Sequence, residues 1–174
     1  MVATLPTLRD EAGALQVDRY MPDVDVPAVF DMLYRKDGKR VDAWQNMRWM
    51  PPSCYLLDAG VKAPGGEREV MGWYYGIHLL TPETSSTTHY HFASARPPGS
   101  ISDAETDVEL ARLRRIAFAE QDKPIVDAQQ QVVGDKDFWS MNPVLLGIDA
   151  GPVRMRRNID RLISQEQAQA AAAP

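Results

Sequence analysis

The stretch VMGWYYGIHLLTPETSSTTHYHFASA, Val70 to Ala95, decides how this chain folds. Val70 to Leu80 is crowded with aromatic and β-branched residues, the side chains that suit a pleated, half-buried surface. Thr81-Pro82-Glu83 interrupts it as a turn, and Ser86 to Ala95 then has alternating character. Two strands joined by so short a connection pair antiparallel, because a parallel return needs a crossover of a dozen or more residues. Alternate residues of a strand share a face, so Tyr74, Gly76, His78 and Leu80 are expected to lie together. His89 and His91, two apart, share one side of the next strand.

Toward the N-terminus the same grammar repeats. Cys54 to Lys62 is a strand closed by the turn Ala63-Pro64-Gly65-Gly66, and Val41 to Met50 alternates around Trp44, Met47 and Trp49 until Pro51-Pro52 stops it. Gly13 to Tyr20 alternates weakly and reads as a further strand. Between these, Asp25 as an acidic N-cap, an early Pro27 and apolar Val29, Phe30 and Leu33 predict a short helix ended by Asp37-Gly38. After Ser102 the period changes. Asp103, Glu105 and Asp107 favour a helix start, and Leu110, Leu113 and Ala117 mark an apolar stripe continuing toward Gln131. Pro124 predicts a kink or break near Asp122. A last helix from about Gly151-Pro152 carries Met155, Ile159, Leu162 and Ile163 on one face, and the tail from Gln165 to Pro174 is expected to fray. The fold class is therefore α+β: an antiparallel sheet packed on a long helix, in one domain over residues 1–174.

Composition narrows the function classes. Hydrophobic residues make up 44% and charged residues 25% of 174, enough to bury a core. A formal net charge of −5 offers nothing to a phosphate backbone, so nucleic acid is not an expected partner. No apolar run approaches the ~20 residues of a membrane helix, and Met1 to Ala12 has no signal-peptide pattern. The lone Cys54 cannot form an internal disulfide, which suits a reducing, cytoplasmic compartment.

The nucleotide-binding, zinc-protease and serine-hydrolase motifs are all missing. His89 and His91 could bind a metal, yet strand histidines beside aromatics are more often a packed pair. Asp122 has Phe118 one turn before it and Ile125 and Val126 one turn after. A carboxylate among such neighbours is costly unless paired or ligating a metal. Capping a helix that restarts at Pro124 is the simpler role for it.

Four segments in series resemble one family. WYYGIHLLTPETSSTTHYHFASAR looks like the strand pair of Rieske-type non-haem iron oxygenase components of the vanillate O-demethylase and dicamba monooxygenase kind. EQDKPIVDAQQQ (Glu120 to Gln131) resembles the helix that gives those enzymes' iron its aspartate, DAGPVRMRRNIDRLISQE (Asp149 to Glu166) their terminal arginine-rich helix, and AWQNMRW (Ala43 to Trp49) a family strand. The resemblance spans about Gly13 to Glu166 and keeps its order.

It implies half of a helix-grip catalytic domain in an oxygenase that hydroxylates or demethylates an aromatic substrate, fed by a reductase and assembled as a homo-oligomer. On this resemblance Asp122 is the iron-binding aspartate, with Gln121 in place of the usual preceding acid, and His78 is a substrate-binding histidine. Leu113 and Leu57 stand where a relative has a pocket tryptophan and asparagine, so substrate identity does not transfer. The family's [2Fe-2S] cluster needs two Cys and two His ligands, and its Fe(II) needs two histidines that precede this sheet in an H-x(4)-H pair. With one cysteine and no such pair, the chain is expected to be incomplete for catalysis by itself. The competing reading is a non-catalytic helix-grip module that binds a ligand or oligomerises.

Overall fold

The structure is a computed structural model, and it describes residues 5–69, 72–100 and 103–172. Strands β1 (Thr7–Glu11), β2 (Ala14–Val24), β3 (Val41–Met50), β4 (Cys54–Lys62), β5 (Trp73–Pro82) and β6 (Thr88–Ala95) form one six-stranded sheet in sequence order. Every neighbouring pair is antiparallel. β3 and β4 have the limits that the alternation implies. β5 begins later than Val70 and runs on to Pro82; Val70 and Met71 lie outside the described residues, as does Ser102.

Two local readings are corrected. The strand expected from Gly13 to Tyr20 is the second half of a hairpin whose first half is β1. Ala12 (φ 49°) and Gly13 (φ 80°) turn the chain with two positive φ angles, which suits the twist of a two-residue hairpin loop. The first helix, α1, runs from Ala28 to Leu33 with Pro27, not Asp25, at its N-cap. Phe30 N and Asp31 N both donate to the Pro27 carbonyl at 2.9 Å, while Asp25 pairs with Arg40. A partner with a full charge outcompetes a helix too short to have much dipole.

Cross-strand register determines what shares a face. Leu15, Trp49, Tyr55, His78 and Phe92 stand in one row across β2 to β6, and Val17, Met47, Leu57, Gly76 and Ser94 in the next. α1, the last helix of the chain and the helical segment carrying Phe118 pack on this face. α1 closes a core of Phe30, Tyr34, Val41, Ala43, Ala59 and Val61, with Phe30 stacked on Tyr74. The last helix, α4 (Ala150–Ala172), packs its first turns over β2 and β4. There Gly151 brings its backbone against Val17 and Tyr55 donates its hydroxyl to the Met155 sulfur at 3.1 Å. Met155, Ile159 and Leu162 are half-buried and Ile163 is exposed, so the apolar face that the sequence implies is turned inward over its first three positions. α4 runs through Ala172, into the stretch read as a fraying tail; residues 173–174 are outside the described residues.

Over the β5–β6 end of the face lie α2 (Ala104–Arg115) and the turn after it, which leads into α3 (Lys123–Val133), none of whose residues is buried. Asp103 caps α2 by accepting from Thr106 N at 2.7 Å. Between α2 and α3 the chain neither breaks nor ends. Residues Ile116–Asp122 form a π-helical turn, in which Lys123 N reaches the Phe118 carbonyl, five residues back. The kink or break expected near Asp122 takes the form of a widened turn that ends at that residue. Proline lacks the N–H that would continue the α ladder, and the wider spacing accommodates that loss without ending the helix.

Candidate functional site

The β5–β6 hairpin and the π-helical turn build the site between them. Alternation puts His78 on the helix-covered face of β5, where it is 8% exposed. On β6 the same face receives Tyr90 and Phe92, and the Tyr90 hydroxyl lies 2.6 Å from His78 Nδ1. Phe118, at the start of the π turn, lies edge-on to His78 with centroids 5.7 Å apart and 4.7 Å from the Phe92 ring. The result is an aromatic enclosure of Tyr90, Phe92 and Phe118 around one imidazole. The other ring nitrogen, Nε2, is buried and has no hydrogen-bond partner.

Charge enters from the helix. Burial pushes the His78 pKa below its ordinary value, and the Arg114 guanidinium lowers it further. Tyr90 is held above the ordinary phenol range, first by burial and then by the Asp122 carboxylate, with Arg114 opposing. Asp122 and Arg114 therefore both act on the hydroxyl that His78 touches. Asp122 is exposed, has helical φ and ψ, and makes no capping hydrogen bond, so the cap that its place before Pro124 suggests is not formed. Leu57 sits opposite Gly76 in the β4–β5 register, and a Cβ on Gly76 would stand 3.4 Å from it.

His89 and His91 face the other side of β6. They are exposed and stack with centroids 6.2 Å apart, and His89 Nε2 lies 3.5 Å from Glu83. Among the described residues no three His, Cys, Asp or Glu side chains gather as a metal centre. The chain's own residues do not by themselves fit a mononuclear iron, and one cysteine does not fit a [2Fe-2S] cluster. A wide groove between α3 and α4, lined by Ile125, Val126, Phe138, Trp139, Arg156 and Ile159, is separate from the His78 enclosure. No described helix is long and apolar enough to cross a membrane.

Tyr90 and Phe92 could have been found from the sequence, since alternation puts them on the face opposite to His89 and His91. Phe118 and Arg114 could not. Phe118 lies within the π turn, which shifts the helix phase, and Arg114, in α2 ahead of that turn, is a charged residue that the apolar stripe does not single out.

The proteins that this chain is similar to are oxygenase components. The chain is 35% identical over 159 residues to the dicamba O-demethylase oxygenase component of Stenotrophomonas maltophilia, covering 91% of this chain and 46% of that protein. It is 28% identical over 166 residues to the chloroacetanilide N-alkylformylase oxygenase component of Rhizorhabdus wittichii, covering 95% and 47%. Among solved structures, dicamba monooxygenase bound to 3,6-dichlorosalicylic acid superimposes with a TM-score of 0.83 at 29% identity, over 94% of this chain and 48% of that one. Dicamba monooxygenase with non-haem iron and dicamba gives a TM-score of 0.61 at 25% identity, over 95% and 50%. The chain thus spans about half the length of the relatives it matches. Residues 1–165 match the vanillate O-demethylase oxygenase C-terminal domain, and the chain belongs to that family.

Proposed function

We propose that this chain is the C-terminal catalytic-domain segment of a Rieske-type oxygenase that hydroxylates or demethylates an aromatic compound, with iron and electrons supplied through parts outside it. The observation that carries the reading is the enclosure of His78 by Tyr90, Phe92 and Phe118, on the turn that also delivers Asp122. Flat aromatic walls and one oriented polar atom make a site for a ring substrate. In this reading His78 Nε2 orients the substrate. Asp122 is the one carboxylate that the chain contributes to iron, and the remaining ligands come from elsewhere in the protein. The exposure of Asp122 suits a ligand whose partners lie beyond the chain. A homo-oligomer, a reductase partner and a cytoplasmic location belong to the same proposal.

The test is Asp122→Asn in the complete polypeptide. The amide keeps the shape and removes the anion that offsets the metal's charge, so bound iron and turnover of aromatic ethers should both collapse while the melting temperature holds. Near-normal iron and turnover would return Asp122 to a structural role.

The competing module reading draws on one observation, that the described residues gather no three-ligand centre. It expects ring ligands to bind at His78 in a complete polypeptide that holds neither iron nor a cluster.

A further inference from the structure

The outer face of the β5–β6 hairpin, turned away from the helices, carries three donors that play no part in the His78 enclosure. His89 and His91 are alternate residues of β6, the last strand of the sheet, and both are exposed. Across the strand pair they stand opposite Thr81 and Leu79, neither of which carries a charge. Glu83 follows β5 directly and comes back over the same face, its Oε1 3.5 Å from His89 Nε2.

That spacing is informative. It is longer than the ~2.7–3.2 Å of an N–H···O hydrogen bond. Two donors bonded to one tetrahedral ion, by contrast, stand about 3.4 Å apart. The rings of His89 and His91 lie 27° from parallel with centroids 6.2 Å apart. Imidazoles that share an ion hold their centroids about 5–6 Å apart. The three side chains do not surround one point as they stand. Closing on it takes a rotamer change in exposed His91, not a movement of the strand.

The carboxylate is already held for the purpose. Thr87 Oγ1 donates to Glu83 Oε2 at 3.0 Å and lies 2.6 Å from Thr84 Oγ1, while Glu83 N donates to the Thr87 carbonyl at 3.0 Å. Oε1 is therefore the oxygen left facing His89. A hydrogen bond on the second oxygen is the kind of support that orients metal-ligating carboxylates.

We propose that Glu83, His89 and His91 form a surface site for one late first-row divalent ion, Zn²⁺ or Cu²⁺, separate from any iron held through Asp122. Two imidazoles and one carboxylate select these ions over Ca²⁺ and Mg²⁺, which favour all-oxygen shells. Fe²⁺ ranks below both in affinity for such a set, so the site does not keep iron through dialysis. Water fills the remaining positions. The bound ion ties the end of β5 to the edge strand. His78 and Tyr90 sit on the opposite face of the same two strands, so the clamp stiffens the hairpin that carries them.

Zinc chloride titrated by calorimetry into the metal-stripped 174-residue chain should reveal one site, and the melting temperature should rise with zinc. His89→Gln and His91→Gln should each weaken zinc binding on the order of 10- to 100-fold, and Thr87→Val, which removes only the support of the carboxylate, about 10-fold. Should a histidine variant melt lower without metal, Glu83→Gln supplies the same comparison. Asp122→Asn should bind zinc as the parent does. With one equivalent of Cu²⁺, electron paramagnetic resonance should show two coordinated imidazole nitrogens in the parent and one in either histidine variant. A parent that binds zinc no more tightly than the double His89→Gln, His91→Gln variant overturns the site. So does a copper signal that His91→Gln leaves unchanged. Zinc binding lost in Asp122→Asn but kept in the histidine variants would overturn it too, by placing the ion at the other carboxylate.

Discussion

Burial takes the imidazolium form away from His78, and Arg114 adds to the effect by repulsion, so its pKa lies below the ordinary 6.5. Above that pH the ring is neutral in the folded and unfolded chain alike, and titration costs nothing. As pH falls through 6.5 the unfolded chain takes up a proton that the folded chain refuses, and stability is lost until the lowered folded pKa is passed. The thermal midpoint should therefore drop further between about pH 8 and about pH 5 in the parent than in His78→Gln, measured by circular dichroism at several pH values. An equal drop in both would assign the pH sensitivity to other groups. Tyr90→Phe attacks the same pair from the other side. It removes the hydroxyl 2.6 Å from Nδ1 and leaves a second ring nitrogen unpartnered, a loss of about 1–2 kcal/mol in chemical denaturation. Gly76 shows how one missing atom matters here. Gly76→Ala would put a methyl 3.0 Å from Nε2, filling the space between His78 and Arg114, so ligand affinity should fall far more than stability.

The sheet followed from alternation because period 2 is simple and one face is buried. β3 and β4 could be delimited to the residue, and the placement of His78 among Tyr74, Gly76 and the helix followed from the same count. β1 was missed because TLRDE has no apolar alternation; it is an edge strand held mainly by its ladder to β2. Asp25 misled because a capping residue and an ion-pairing residue look identical until Arg40 is seen beside it. The helix resisted reading for a deeper reason: the 3.6-residue period assumes an unbroken α-helix, and the seven residues Ile116–Asp122 do not obey it. That deviation has a testable cause. Pro124→Ala restores the missing N–H and removes the ring clash, which allows the turn to close into ordinary α-helix. Losing one π turn rotates everything beyond it by about 100° relative to Phe118. The variant should melt at or above the parent temperature, yet in the complete polypeptide iron content and turnover should fall because Asp122 is displaced. Full activity in Pro124→Ala would mean that the π turn does not depend on the proline or that Asp122 has no such duty. A second element-level prediction concerns β4. Gly60→Ala would drive a methyl to 2.3 Å from the Trp73 Cβ and 2.7 Å from the Gly72 carbonyl, both fixed. A loss of about 2–3 kcal/mol in urea unfolding is expected, with strand pairing to β5 the first feature to fail.

At the scale of the whole molecule, the helical layer is unevenly finished. Toward β2–β4, α1 and α4 are seated on a buried core, but α3 exposes Ile125, Val126 and Val132, and the loop after it exposes Val144, Leu145, Leu146 and Ile148. Apolar residues gathered in this way make a patch of the kind that contact with another protein surface covers, and the chain spans about half the length of its relatives. Asp122 lies in the same exposed stretch, and this bears directly on what the 174 residues can do alone. One carboxylate gives iron one or two oxygens, and water competes for every other position. Neutral imidazoles account for much of an iron site's selectivity, and no described histidine joins Asp122 in a three-ligand group. The purified 174-residue chain should therefore retain well under one equivalent of iron after dialysis and show no visible absorption from a cluster, since one thiol cannot hold one. Metal analysis and an absorption spectrum read both outcomes, and neither depends on finding a substrate. Calcium and magnesium favour all-oxygen ligands, so including them as competitors separates a genuine iron site from weak carboxylate binding. If iron stays bound at one equivalent, the ligands must come from this chain, and His89 and His91 with Glu83 are the residues to replace first. Retention that survives His89→Ala and His91→Ala but not Asp122→Asn would point instead to an iron site completed by two copies of the chain meeting at their exposed α3 surfaces.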